Sequence, residues 1–225
     1  MTVSKSAQEL QTRLNRMPLI AILRGVQPHE VIAICANLVE VGFEIIEIPL
    51  NSPQPYKSIE MAVNAFGDAA LVGAGTVLSP AAVAELASAG GQLVVMPHAD
   101  PAVISYALER GLAVAPGVAT PSEAFAALSA GAHALKMFPA EVLGVKSLRA
   151  WSAVLPADTA LIPVGGVTPE NLAEYHNAGA AGFGIGSALY KPGFGAAEVR
   201  ARAELFVGAA RALAKPPNPK MPALE

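Results

Sequence analysis

Short apolar runs rich in valine and isoleucine alternate along this chain with longer, alanine-rich segments of helical period. Such alternation is typical of repeated strand–helix units around a parallel sheet, so we predict an α/β fold. Eight runs are present: Leu19 to Arg24, Phe43 to Leu50, Ala70 to Val77, Leu93 to Pro97, Ala113 to Gly117, Ala134 to Phe138, Ala160 to Gly165 and Gly182 to Ser187.

Local signals mark the ends of the predicted helices. A side chain that can cap a helix precedes a proline at several starts, and a glycine that can adopt a left-handed conformation follows several ends. The starts are Ser79-Pro80, Asp100-Pro101, Thr120-Pro121 and Thr168-Pro169, and the ends are Val41-Gly42, Arg110-Gly111, Ala130-Gly131 and Ala178-Gly179.

Eight strand–helix units in a chain of 225 residues predict a single (β/α)8 TIM barrel of small size. An open doubly wound sheet is the alternative, because the number of strands does not establish closure. We expect the barrel over residues 19–214, with an N-terminal helical extension over residues 1–18 that covers its bottom. Residues 215–225 are predicted to form a Pro-rich tail.

Composition narrows the range of partners. The formal net charge is −3 and Lys and Arg form no cluster, which argues against a nucleic-acid surface. No apolar stretch reaches the ~18 residues that cross a bilayer, and the N-terminus lacks the apolar centre of a secretory signal. We therefore expect no membrane partner, a cytoplasmic location and a small-molecule substrate.

Cysteine and histidine give no indication of a metal site. The single cysteine, Cys35, cannot form a disulfide within the chain, and its apolar neighbours predict a buried structural thiol. Four histidines are scattered without the spacing of metal ligands: His29, His98, His133 and His176. We expect neither a metal nor a cofactor.

Two ionisable residues stand alone in predicted strands. In a barrel, chemistry takes place at the C-terminal ends of the strands, and Lys136 interrupts the sixth apolar run there. An ion pair or a snorkelling side chain would explain Lys136 structurally. The alternative that we favour is an amine whose pKa is lowered in a dry pocket, so that it attacks a ketone and forms a Schiff base.

Glu47 interrupts the second apolar run in the same way. A buried carboxylate without a partner costs several kcal/mol, so Glu47 is either paired with Lys136 or Arg24, or serves as a general acid and base. Arg24 and Thr76 end the first and third runs, where a guanidinium and a hydroxyl suit a substrate carboxylate. Structural roles for both residues remain the alternative.

Glycine pairs follow the last two apolar runs. They are Gly165-Gly166 and Gly184-Ile185-Gly186, the second being followed by Ser187. In barrels, the loops at these positions often bind a phosphate through backbone N–H groups. Turns also need glycine, but two pairs in these units favour a phosphate site.

Five segments resemble one known family, in order along most of the chain from about Leu19 to Leu213. They are Ile-Glu-Ile-Pro-Leu-Asn-Ser-Pro around Glu47, Val-Gly-Ala-Gly-Thr-Val-Leu from Val72, Leu-Lys-Met-Phe-Pro-Ala from Leu135, Pro-Val-Gly-Gly-Val-Thr-Pro-Glu-Asn from Pro163, and Gly-Ile-Gly-Ser from Gly184. These segments are similar to those of the 2-keto-3-deoxy-6-phosphogluconate and -galactonate aldolases.

The resemblance implies a metal-independent class I aldolase. Lys136 is then the Schiff-base lysine, Glu47 the proton shuttle, and Arg24 and Thr76 the contacts to the keto-acid end of a phosphorylated keto-deoxy sugar acid. The phosphate contacts implied are Gly165, Gly166, Gly186 and Ser187. Members of the family are typically trimeric, which implies a homotrimer.

Residues 49–53, Pro-Leu-Asn-Ser-Pro, resemble the galactonate branch of the family, so we predict that the galactonate epimer is the better substrate. Activity on the gluconate epimer or on 4-hydroxy-2-oxoglutarate is the alternative. Two other classes of protein also remain open. A phosphosugar isomerase or epimerase would share the barrel but would not need Lys136, and a non-catalytic phosphosugar-binding barrel would keep the lysine only for its charge.

Overall fold

The computed structural model describes residues 5–213, which form alternating helices and strands. The helices are α1 (Lys5–Arg16), α2 (Pro28–Val41), α3 (Pro55–Phe66), α4 (Pro80–Ser88), α5 (Pro101–Glu109), α6 (Pro121–Ser129), α7 (Ala140–Ser152), α8 (Leu172–Asn177) and α9 (Ala196–Arg211). The strands are β1 (Leu19–Ile22), β2 (Ile45–Pro49), β3 (Leu71–Gly75), β4 (Leu93–Val95), β5 (Ala113–Ala115), β6 (Gly117–Val118), β7 (Leu135–Met137), β8 (Leu161–Pro163) and β9 (Phe183–Ile185). The predicted α/β fold is confirmed.

All strand pairs are parallel and fall into two sheets. Six strands are ordered β5-β4-β3-β2-β1-β9, and three are ordered β6-β7-β8. Each of the eight predicted runs contains a strand, but the fifth run forms two short strands, β5 and β6, on either side of Pro116. A proline has no N–H to donate to a neighbouring strand, which accounts for the interruption.

Successive side chains along each strand point to opposite faces of the sheet. One face packs on the helices and carries Ile46 and Leu135. The other face carries Ile45 and Ala134, and it forms one cluster to which strands of both sheets contribute. Because both sheets contribute to that cluster, they curl in the manner of a half-barrel around a common interior.

Helix α1 lies at the N-terminal ends of the strands. Its side chains Leu10 and Leu14 are buried in the same cluster as the interior residues of the strands. Arg13 is only 4% exposed, and its guanidinium donates to the carbonyl oxygens of Ala69 and Asp68 at 2.6 and 3.3 Å, just before β3 begins. These contacts fix α1 at the end opposite to the one where chemistry is expected.

Three of the four predicted helix starts are confirmed by side-chain caps. Ser79, Asp100 and Thr120 each accept a hydrogen bond from a backbone N–H of the following helix. The prediction at Thr168 was wrong, since α8 begins four residues later at Leu172. Residues 168–171 form a separate turn before the helix, in which the Asn171 N–H donates to the Thr168 carbonyl oxygen at 3.2 Å and the Asn171 side-chain oxygen accepts from the Thr168 N–H at 2.9 Å.

The predicted glycine ends are also confirmed: Gly42, Gly111, Gly131 and Gly179 all have φ between 72° and 120°. Cys35 is buried, and burial raises the pKa of its thiol to about 12, as expected of a structural cysteine. No helix within residues 5–213 has the length and apolarity to span a membrane. The cytoplasmic location stays a prediction, and the Pro-rich tail at 215–225 lies outside the described residues.

Candidate active site

Side chains alternate between the two faces of each strand, and two ionisable side chains point into the interior that the strands surround. Lys136 lies two residues after Ala134 in the run that forms β7, and Glu47 lies two residues after Ile45 in β2. Ala134 and Ile45 both belong to the interior cluster, so Lys136 and Glu47 point to the same side. Both are almost completely buried, at 5% and 1% exposure.

A cavity of about 790 Å³ opens at the C-terminal ends of β1, β7, β8 and β9. It contains most of the predicted site residues, namely Arg24, Lys136, Gly165, Gly166, Gly186 and Ser187. The cavity lining does not include Glu47 or Thr76. Glu47 is buried next to the cavity, close enough to shift the pKa of Lys136 electrostatically. Thr76 contacts Arg24, which does line the cavity.

Glu47 is in an environment that favours its neutral form. Burial raises the pKa of its carboxyl from 4.5 to about 7, even though the charges of Lys136 and Arg24 both lower it. Within the described residues its Oε2 atom has no hydrogen-bond partner. A carboxyl that titrates near neutral pH can both accept and return a proton, which is what a general acid and base requires.

Lys136 is correspondingly shifted toward the free amine. Burial lowers the pKa of its ammonium group, the nearby Glu47 carboxylate raises it, and Arg24 lowers it further. The Nζ atom lies 4.8 Å from the centre of the Phe138 ring, two residues along the same run. A larger neutral fraction makes the amine a better nucleophile toward a carbonyl.

A small polar network holds Arg24 at the end of β1. Its Nη1 atom donates to Asn51 Oδ1 at 2.5 Å and to Thr76 Oγ1 at 3.3 Å. Thr76 has a φ of 57°, in the left-handed region that residues other than glycine seldom adopt. The hydroxyl of Ser52 accepts from the Gly25 N–H at 2.8 Å, which ties the loop after β1 to the loop after β2. The structure thus brings Arg24 and Thr76 together, and their contact to a substrate stays a prediction.

The two glycine loops flank the other side of the cavity. Gly165 and Gly166 have φ values of 101° and 68°, and a side chain at Gly166 would collide with Glu141 in the first turn of α7. The Asn171 amide donates to the Gly166 carbonyl oxygen at 2.9 Å and steadies this loop. At Gly186, by contrast, a Cβ would meet open space, so the cavity reaches its backbone directly.

Sequence reasoning missed four residues at this site. Asn51 had a usable signal, since it is polar and lies two residues beyond the end of β2. Phe138 had none, because an aromatic residue at a strand end is ordinary. Lys191 and Arg202 line the cavity from the last loop and from α9, and only the folded chain brings them there.

No group of three or more His, Cys, Asp or Glu side chains that could hold a metal ion occurs within residues 5–213. Nitrogen and oxygen donors at the cavity belong mainly to Lys and Arg, which are poor metal ligands. The ionisable groups of the site are the Lys136 amine, the Glu47 carboxyl and the basic side chains that line the cavity.

A parallel α/β fold with a buried lysine and a buried glutamate in its strands, beside a cavity at the C-terminal strand ends, indicates an enzyme of the aldolase class. The chain belongs to the KDPG and KHG aldolase family, whose model matches residues 10–210. The predicted family and the predicted lyase are thus confirmed.

Individual relatives are similar over most of their length. The probable 2-dehydro-3-deoxy-6-phosphogalactonate aldolase of Rhizobium meliloti (strain 1021) is 53% identical, over 83% of this chain and 88% of the relative. The 2-dehydro-3-deoxy-6-phosphogalactonate aldolase of Escherichia coli (strain K12) is 50% identical, over 87% of this chain and 96% of the relative. A solved structure described as native KDPGal superposes with a TM-score of 0.86 at 50% identity, covering 87% of this chain and 95% of the other.

Proposed function

We propose that this chain is a class I aldolase that cleaves 2-dehydro-3-deoxy-6-phosphogalactonate to pyruvate and glyceraldehyde 3-phosphate. The observation that carries the proposal is the buried pair formed by Lys136 and Glu47, in which burial shifts both pKa values toward neutrality. The names of the two relatives at 50% and 53% identity support the galactonate substrate.

Lys136 attacks the C2 ketone of the substrate as a free amine and, after loss of water, forms a protonated imine. The imine accepts the electron pair of the C3–C4 bond as that bond breaks, so that it serves as the electron sink. Cleavage leaves an enamine of pyruvate on Nζ, which is protonated at C3 and then hydrolysed. This route places the developing charge on nitrogen and needs neither a metal nor a cofactor.

Glu47 takes the proton from the C4 hydroxyl, directly or through water, as the C3–C4 bond breaks. The burial of Glu47 close to Lys136 and its pKa of about 7 support this role. The same carboxyl can return the proton to C3 of the enamine. Both steps benefit from a group that is neither a strong acid nor a strong base at neutral pH.

The two ends of the substrate meet opposite sides of the cavity. We assign the keto-acid carboxylate to Arg24 and Thr76, whose network with Asn51 presents a guanidinium and a hydroxyl together. We assign the phosphate to the backbone of Gly165, Gly166 and Gly186 and to the Ser187 side chain. The open space at Gly186 supports close approach of phosphate oxygens to the backbone.

The gluconate epimer and 4-hydroxy-2-oxoglutarate are secondary substrates in this proposal, since they share the pyruvyl portion that Lys136 handles. A non-catalytic phosphosugar-binding protein would gain nothing from a lysine whose pKa is lowered by burial, because a cation would bind an anion better. An isomerase or epimerase would likewise have no use for the buried amine.

We further infer that β1–β9 close into one barrel, with α1 as a cover at its N-terminal end. The parallel bridge between Val164 and Gly184 supports this inference, since it joins the three-stranded sheet to β9. The strand order then returns to β1, which pairs with β9. We also propose a homotrimer, which light scattering of the purified protein tests directly.

Reductive trapping tests the function. Borohydride added with pyruvate should reduce the imine and attach one pyruvyl-derived group per chain, which peptide mass spectrometry locates on Lys136. The Lys136→Met protein should be neither labelled nor active. An adduct on Lys57 or Lys146 instead, or full activity in Lys136→Met, would remove the proposed mechanism.

A further inference from the structure

Arg202 of α9 reaches the cavity beside the proposed phosphate loop. It lines the same cavity as Lys136 and Gly186, although both precede α9 in the chain and Lys136 belongs to β7. Its Nη1 atom donates to the carbonyl oxygen of Ala188 at 3.3 Å, one residue beyond Ser187. The guanidinium therefore lies against the turn that presents Gly186 and Ser187.

Two further residues contact this guanidinium. Its central carbon lies 4.5 Å from the centre of the Phe194 ring, and its Nε and Nη2 atoms donate to Glu198 Oε1 at 3.3 and 3.0 Å. The Phe194 ring and the Ala188 carbonyl hold the planar group beside the cavity, while about 39% of the side chain stays exposed. A guanidinium held in this way is prepared to meet an anion.

The charges that line the cavity all have one sign. Within residues 5–213, four basic residues and no acidic residue line it: Arg24, Lys136, Lys191 and Arg202. Lys136 is committed to the imine in the proposed function, and Arg24 lies at the keto-acid end. Lys191 and Arg202 both lie on the segment that follows β9, which is the phosphate end.

We propose that Arg202, together with Lys191, forms a cationic wall that sets the preference for phosphorylated over unphosphorylated substrates. This inference rests on the proposed aldolase function and concerns the same cavity. A phosphate dianion near the glycine loops would lie close to both charges. Backbone N–H groups alone supply partial charges, whereas the wall adds two full charges.

Glu198 competes with the substrate phosphate for Arg202. The pair between Glu198 and Arg202 is partly exposed, with 46% and 39% of the two side chains accessible, so it is weak and exchanges readily. When the phosphate arrives, the guanidinium can turn its donors from the carboxylate to the dianion without leaving Phe194. Removing the Glu198 charge should therefore strengthen phosphate binding, and removing Arg202 should weaken it.

The synthesis direction provides a matched pair of substrates, because pyruvate can be joined to glyceraldehyde 3-phosphate or to glyceraldehyde. For Arg202→Gln we expect kcat/KM with the phosphorylated aldehyde to fall roughly 5- to 30-fold at low salt, mainly through KM, and to recover in part at high salt. With glyceraldehyde it should stay within about twofold of the parent. Arg202→Lys should recover much of the loss, and Glu198→Gln should raise kcat/KM with the phosphorylated aldehyde above the parent value.

Arg200→Gln is the matched control, since it removes the same charge from the same helix. Arg200 pairs with Glu40 and Glu204 and does not line the cavity, so both aldehydes should react normally. Equal losses with the two aldehydes in Arg202→Gln, or a loss in Glu198→Gln as large as that in Arg202→Gln, would overturn the cationic wall. Absence of condensation with either aldehyde in the parent would instead refute the proposed function.

Discussion

The carboxylate of Glu47 occupies the space that a side chain at Gly75 would need. A Cβ atom placed on Gly75 would overlap the carboxyl group, with Oε2 and Cδ of Glu47 as its nearest neighbours. Glu47 pairs with Gly73 in the register of β2 and β3, and Gly75 is two residues further along the same face. Gly75 thus leaves room for the Glu47 carboxyl group in the interior that the strands surround.

Gly75→Ala is therefore expected to displace the Glu47 carboxyl and to lower turnover by roughly 10² or more, because a misplaced proton acceptor loses most of its effect. Steady-state rates and reductive trapping with pyruvate measure the two steps separately, and imine formation should suffer less. Gly208→Ala is the control, since its Cβ would meet open space on α9. Normal turnover in Gly75→Ala would mean that the position of Glu47 is not critical.

Glu47→Gln should also lower turnover by roughly 10², since the amide keeps the shape but cannot accept the proton. In the parent, kcat should rise with pH through about 7, where the carboxyl loses its proton. That rising limb should be missing from the residual activity of the variant. A folded Glu47→Gln protein with near-normal rates would give Glu47 a purely structural role.

Glu47→Gln should also change how stability depends on pH, because the pKa of Glu47 is raised in the folded state. The folded state holds its proton up to about pH 7, whereas the unfolded chain releases it near 4.5. The free energy of unfolding of the parent therefore declines as pH rises from 4.5 through about 7. Glu47→Gln should escape this decline, so its thermal midpoint should gain on the parent between about pH 5 and pH 8. A constant difference between the two midpoints would contradict the raised pKa.

Gly186→Asp places a carboxylate beside the proposed phosphate site. Because Gly186 has open space at its Cβ, the change tests charge more than packing. We expect severe loss with phosphorylated substrates and much less loss of imine formation with pyruvate, which has no phosphate to repel. Gly186→Asn, of similar size but neutral, is the control. Equal losses for both ligands would make the loop structural.

The galactonate epimer should be the better substrate. The two epimers differ only at C4, so discrimination depends on how the C4 hydroxyl meets Glu47 and the neighbouring groups. A misplaced hydroxyl leaves polar groups unpaired at ~1–3 kcal/mol, which corresponds to roughly 5- to 150-fold in kcat/KM. Side-by-side cleavage of the two purified epimers, followed by pyruvate release, measures the ratio. A preference of roughly tenfold or more for the gluconate epimer would overturn the proposed substrate but not the proposed aldolase activity.

The sequence was most informative where one ionisable residue interrupts an apolar strand. Lys136 and Glu47 stood out for that reason, and the structure then placed both on the interior side of their strands. Arg24 was found by the same rule at a strand end. Local chemistry was enough in these cases, because the strand itself determines where the side chain points.

Contacts between distant segments could not be found in this way. Arg202 lies on a helix whose approach to the cavity depends on how α9 packs, and no pattern in residues 196–211 marks it. The start of α8 was misplaced because the capping signal at Thr168-Pro169 belongs to a separate turn, residues 168–171, and the helix begins only after it at Leu172. The interruption at Pro116 was missed because the run was judged by hydrophobicity alone.

Leu10 and Leu14 of α1 fill the N-terminal end of the strand interior, so a molecule held at Lys136 enters and leaves at the opposite end. In the proposed reaction the pyruvyl group stays bonded to Nζ after cleavage, whereas the phosphorylated fragment is held only by non-covalent contacts. Product release through the single open end is then ordered, with glyceraldehyde 3-phosphate departing before water reaches the imine. In the synthesis direction the same bond to Lys136 makes pyruvate the first reactant to bind and the aldehyde the second.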